Sequence, residues 1–175
     1  MNHVLSEPHN LDSIIQELQT WLYDYLIVQW NTQKLDAYGR VYKNEYEGEK
    51  IPMVYSSTKK NYTPVYYNNQ SCFFFVDDNR HPWIDQDHEF TTSVKLCFML
   101  NLDDLKTATE RVDADVKRDV ITFLAEKDYH FKGNGYLYGV DDVFKPEFDT
   151  DKIKHMDTHP FHVFAVELDF SYSVI

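Results

Sequence analysis

The last fourteen residues, "HVFAVELDFSYSVI" (162–175), decide how the chain is read. His162, Phe164, Val166, Leu168, Phe170, Tyr172 and Val174 point one way, and Ala165, Glu167, Asp169, Ser171 and Ser173 point the other. This alternation predicts one long, half-buried strand. At about 3.3 Å per residue it spans roughly 40 Å, about twice a typical strand, and it lies at a chain end, where strands usually fray. A strand of that length with an open edge invites aggregation unless something covers it.

Working outward, "TTSVKLCFMLNL" (91–102) places Thr92, Val94, Leu96, Phe98, Leu100 and Leu102 on one face and Cys97 and Met99 on the other. Being apolar on both sides through its middle, it reads as a central strand. Leu11, Ile14, Ile15, Leu18, Leu22, Tyr25 and Leu26 recur at helical spacing, with Asn10 placed as a cap, which predicts a helix ending near Trp30. Val112, Val116, Val120, Phe123 and Leu124 mark a second helix over about 108–126, with Asp113 and Asp115 near its positive end. The stretch 133–160 has turn signals at "GNG" (133–135), a hydrophobic piece "YLYGV" (136–140), and then "DDVFKPEFDTDKIKHMDTHP" (141–160), which reads as a mostly irregular crossing with one helical turn near Asp151 to His155. Helix, strands, helix, connection and strand in that order give an α+β fold. The expected domain is single, spanning 1–175, with a largely antiparallel sheet, an N-terminal helix, a second helix packed on the sheet and a long C-terminal strand.

Residues 36–76 form a Tyr-rich β region: seven of the thirteen tyrosines lie between Tyr38 and Tyr67. In "YGRVYKNEY" (38–46) the spacing keeps Tyr38, Tyr42 and Tyr46 on one strand face. Tyrosine has an apolar body and a polar tip, so such a face suits an interface between subunits that must first be soluble. An ordinary sheet surface reads the same way, and both readings stand at this stage.

With 175 residues, 43% of them hydrophobic, the chain can bury a core of its own. Its net charge of −12 argues against binding nucleic acid, which relies on a basic surface to displace counterions from phosphate. Cys72 and Cys97 sit in apolar runs and read as buried free thiols. The start "MNHVLSEPHN" lacks a basic, then apolar, leader pattern, and no stretch is apolar enough for a membrane span. Together these predict a soluble protein with no membrane contact, in the cytoplasm at least at first.

Acids and histidines gather twice: Asp77, Asp78, His81, Asp85, Asp87, His88 and Glu89, and then His155, Asp157, His159 and His162. Imidazole and carboxylate together suit zinc or manganese, so a metal-dependent enzyme using 77–89 is one alternative. The spacing matches no HExxH or CxxC signature, however, and neither a nucleophile elbow nor a glycine-rich phosphate loop occurs. The reading is therefore of no catalytic residue, no metal and no cofactor. From Asp77 to Glu89, five carboxylates (Asp77, Asp78, Asp85, Asp87, Glu89) face one arginine. Either this is a solvated loop, or it lines a lumen or docks on a basic partner. A soluble adaptor that binds one protein partner is the remaining alternative.

The combination of "SVKLCFMLNLDDL" (93–105), "RVDADVKRDVITFL" (111–124) and "MDTHPFHVFAVELDFSY" (156–172) resembles the neck and tail-terminator proteins of tailed bacteriophages, in particular forms from phages of Bacteroides-type bacteria, including crAss-like phages. The likeness covers roughly residues 90–175 and rests on hydrophobic patterns and on the turn through Met156, His159, Pro160, Phe161 and Phe164. It implies a non-enzymatic virion protein that forms a homo-oligomeric ring in the neck or at the head-proximal end of the tail, with the edge or solvent face of the long terminal strand completed by a neighbouring subunit. Such a protein assembles in the host cytoplasm, contacts portal, neck or tail proteins, and lies near genomic DNA without sequence-specific binding.

Overall fold

The computed structural model describes residues 1–66, 70–82, 84, 88–105, 111–133 and 135–174. In chain order the elements are α1 (Leu11–Gln29), β1 (Leu35–Arg40), β2 (Tyr42–Tyr46), β3 (Glu49–Ser56), β4 (Asn61–Pro64), β5 (Ser71–Asp77) and β6 (Glu89–Asn101). There follow α2 (Val112–Glu126), β7 (His130–Phe131), β8 (Leu137–Tyr138), α3 (Val140–Phe144), a 3₁₀ stretch Asp151–Asp157 and β9 (Phe161–Ser173). The fold is α+β in a single domain, with the N-terminal helix and the long C-terminal strand that the periodicity predicts.

β9 is long because its partner is. β6 and β9 are antiparallel along their whole length, from Glu89 opposite Ser173 to Asn101 opposite Phe161. β5 flanks β6 antiparallel, and β1 adds parallel to β5, giving the order β1-β5-β6-β9-β7 with β8 also on β9. The outer edge of β9 is closed by the chain itself. Phe131 lies opposite Leu168, Leu137 opposite Ala165, and the amides of Lys132 and Gly139 donate to the carbonyls of Glu167 and Val163 at 2.9 and 3.0 Å. Between Val163 and Asp169 this edge therefore needs no neighbour, since His130–Phe131 and Leu137–Tyr138 pair with it.

The sheet separates two cores. On one side Val94, Leu96, Phe98 and Leu100 of β6 and Phe164, Val166, Leu168 and Phe170 of β9 pack under α1 and α2. On the other, Cys97, Met99, Val163 and Ala165 meet α3, Ile153, Met156 and the small sheet β2-β3-β4. β9 is thus half-buried only toward its end; its first half is covered on both faces, because α3 and the 3₁₀ stretch, which local periodicity reads as an irregular crossing, fold over it.

α1 buries Leu11, Ile15, Leu18, Leu22 and Leu26. Asn10 precedes it with φ 52° but makes no side-chain cap, and Ser13 Oγ donates instead to the Pro8 carbonyl at 2.7 Å. At its other end the Trp30 indole donates to Asp119 Oδ2 of α2 at 3.0 Å, joining the helices through a buried polar contact. α2 begins at Val112; residues 108–110 of the expected helix lie outside the described residues.

Candidate functional site: a tyrosine-bearing sheet and a buried carboxylate network

β1 and β2 are continuous in sequence, yet they belong to different sheets. The break is at Arg40 and Val41. Arg40 is gripped by Asp12 through Nε and Nη2, both at 2.9 Å, and by Asp77 through Nη1 at 3.2 Å, while the Val41 amide donates to the Phe75 carbonyl at 2.9 Å. Gly39 lies so close to Gln19 that a Cβ there would be 3.2 Å from Oε1. Held at these points, the strand register with β5 shifts between Ala37 and Arg40, and the chain then leaves the main sheet.

This departure separates the three tyrosines expected on one face. Tyr38 stays in β1, half-buried against the second core, with its ring stacked on His3 at 4.6 Å and 14°. Its phenol pKa is pushed well up by burial first and then by Asp36. Tyr42 and Tyr46 lie in β2 and remain together on one face of the small sheet. Tyr42 meets Tyr62 of β4 edge-on at 5.5 Å, and Tyr62 meets its cross-strand partner Tyr55 of β3 at 5.4 Å. The Arg40 guanidinium lies 5.5 Å from the Tyr42 ring centroid.

The surface aromatic cluster is therefore Tyr42, Tyr55 and Tyr62, 38%, 36% and 45% exposed, with Tyr46 farther along β2. Tyr55 and Tyr62 were not legible as site residues. The available signal was the hairpin: with Asn61 opposite Ser56 across the "STKK" turn, the two tyrosines fall into register. The β2-β3 hairpin has its own local cause. Glu47 and Gly48 both take positive φ, 50° and 81°, as a two-residue turn compatible with strand twist requires. Beside Tyr55 opens a cleft of about 460 Å3 lined by Met1, His3, Tyr38, Val54 and Lys59.

The acidic segment does not form one surface. Asp77 is buried inside the protein, its side chain 3% exposed. Besides Arg40, its Oδ2 takes His81 Nε2 at 2.8 Å, and its Oδ1 accepts from Thr92 Oγ1 at 2.8 Å and from the Asn79 amide at 3.0 Å. Asp78 accepts from the Arg80 amide and from Thr92. Glu89 starts β6 and is exposed; Asp85 and Asp87 lie outside the described residues. An outward acidic loop built on all five carboxylates is thus corrected, since Asp77 faces inward to neutralise Arg40.

His81 extends the network, its Nδ1 lying 2.8 Å from the Tyr172 hydroxyl. Asp12, Arg40, Asp77, His81 and Tyr172 thus tie the start of α1, the ends of β1 and β5, the following loop and the end of β9 to one another. Of the second group of histidines, His162 is buried between the Tyr138 and Phe164 rings and His155 packs edge-on to Phe161. Among the described residues no three of His, Cys, Asp and Glu come together as a metal site.

No family model, curated protein or solved structure matches the chain. The geometry of the two assemblies stands by itself. The carboxylate network braces strand ends, whereas the tyrosine cluster presents partly exposed, amphipathic rings at the surface. No helix among the described residues is long and apolar enough to cross a membrane.

Proposed function

We propose that this chain is a structural virion protein, a subunit of a homo-oligomeric ring in the neck or at the head-proximal end of a phage tail, where it joins portal or connector to tail and lets DNA pass. The observation that carries the reading is the Tyr42, Tyr55 and Tyr62 cluster on a sheet distinct from the one that forms the main core. Aromatic rings with a polar tip bury well between subunits and stay hydrated before assembly. The likeness of residues 90–175 to neck and tail-terminator proteins points the same way. Net charge agrees with it: a surface at −12 repels phosphate, so a genome slides past without counterion release holding it in place.

The test is to purify particles from a culture carrying this sequence and image the neck and tail by electron microscopy. The expected result is the chain in many symmetric copies around the tail axis. Particles that infect normally and lack the chain overturn the reading.

A further inference from the structure

Two faces of this molecule carry exposed groups of opposite character. The outer face of α1 presents Glu17, Trp21, Asp24 and Val28, at the spacing of one helical stripe opposite the buried leucines. Trp21 is 44% exposed and Val28 79%, which is unusual for a solvent face. Glu17 and Asp24 form no ion pair among the described residues, and residues 1–33 contain Glu7, Asp12, Glu17 and Asp24 but no lysine or arginine. Lys127 reaches this stripe, with Nζ 5.4 Å from the Trp21 ring, between Glu126 and Asp128.

The small sheet is the converse. Residues 41–66 hold four lysines against three glutamates in a chain of net charge −12. Lys59 and Lys60, in the turn between Tyr55 and Tyr62, are exposed and form no ion pair among the described residues. The tyrosine cluster thus has Lys59 and Lys60 beside it, Lys43 and Lys50 lying on the other face of the small sheet; the α1 face is aromatic and aliphatic with acidic flanks. The two are packed on different cores, α1 on the first and the small sheet on the second.

We propose that the occupant of each face is a second copy of this chain, the tyrosine sheet of one subunit docking on the α1 stripe of the next. Opposite charges set the register and exclude like-with-like contact of either face. Since the two faces are different surfaces of one chain, the contact is head-to-tail and repeats, giving a closed ring where the rotation closes. This deepens the ring reading above and rests on it for closure and for place in the virion; the pairing of faces stands on the charges and exposures alone.

The test uses full-length protein in sedimentation velocity over a concentration series. One variant disables the sheet face (Tyr62→Ser with Lys59→Glu and Lys60→Glu), another the helix face (Trp21→Ser with Val28→Glu). Circular dichroism verifies that both fold, and Glu17→Lys with Asp24→Lys serves as a second, gentler helix variant. The expected result is concentration-dependent association of the unmodified chain, weakened at least about tenfold in each variant. Mixing the sheet and helix variants should give heterodimers and nothing larger, because only one competent pair of faces remains. Uniting Lys59→Glu and Lys60→Glu with Glu17→Lys and Asp24→Lys in one chain should restore association.

A chain that stays monomeric into the millimolar range, or either disabled variant assembling as the parent does, overturns the proposal. The two readings fail separately. Association through these faces by a protein absent from particles removes the virion role alone, and a particle ring that tolerates both variants removes this pairing alone.

Discussion

Phe98 and Phe164 face each other across the β6–β9 ladder, their rings 4.7 Å apart and within 6° of parallel. Phe73 and Trp30 approach Phe98 at 5.4 and 6.3 Å, and Tyr136 approaches Phe164 at 5.9 Å, so the pair sits at the centre of the aromatic core. Phe164→Ala leaves a cavity that rigid strands on both sides cannot close. The expected cost is about 3–5 kcal/mol, measured by equilibrium denaturation in urea. A change below about 1 kcal/mol would show that the stack contributes little.

The buried network should respond unequally along its length. Asp77→Ala strips the Arg40 guanidinium of one of its two carboxylates in a largely buried setting, takes the acceptor from the Asn79 amide and leaves the Thr92 hydroxyl only Asp78. Breaking such a pair costs about 3–5 kcal/mol. Tyr172→Phe, at the partly exposed end, loses one hydrogen bond worth about 1 kcal/mol. Denaturation midpoints of the two variants should differ accordingly, and equal losses would contradict the arrangement.

His162 should make folding sensitive to acid. Burial lowers its pKa below the ordinary histidine value, with Asp113 and Asp157 opposing, and its Nε2 has no hydrogen-bond partner among the described residues. The folded state therefore prefers the neutral ring. That preference is fully present above the unfolded pKa of about 6.5 and is lost as pH falls through the lower folded value. Between about pH 7 and pH 5 the melting temperature of the unmodified protein should fall more steeply than that of His162→Phe. Parallel curves would rule the residue out.

Cys72 and Cys97 are free and fully enclosed, and burial pushes both thiols upward, Cys97 to about 12. Since the thiolate is the reactive form, neither should react with a thiol-specific reagent in the native protein, and both should react once it is unfolded. Rapid native labelling of either cysteine would place it nearer the surface than the packing of β5 on β6 allows.

Periodicity alone determined α1, the body of α2, and the two-sided β6 and long β9, because alternation and helical spacing are written into neighbouring residues and a deep core rewards no other reading. It could not show that β9's edge is closed by residues 130–139, since a two-residue strand carries no pattern of its own. Nor could it show that "YGRVYKNEY" crosses from one sheet to another, for the alternation runs on unbroken while Arg40, held by Asp12 and Asp77 from distant parts of the chain, turns the backbone away. The same long-range grip made Asp77 an internal counter-ion where the local run of acids suggested a surface. Which tyrosines meet was likewise decided by strand register, and register is settled by the partner strand.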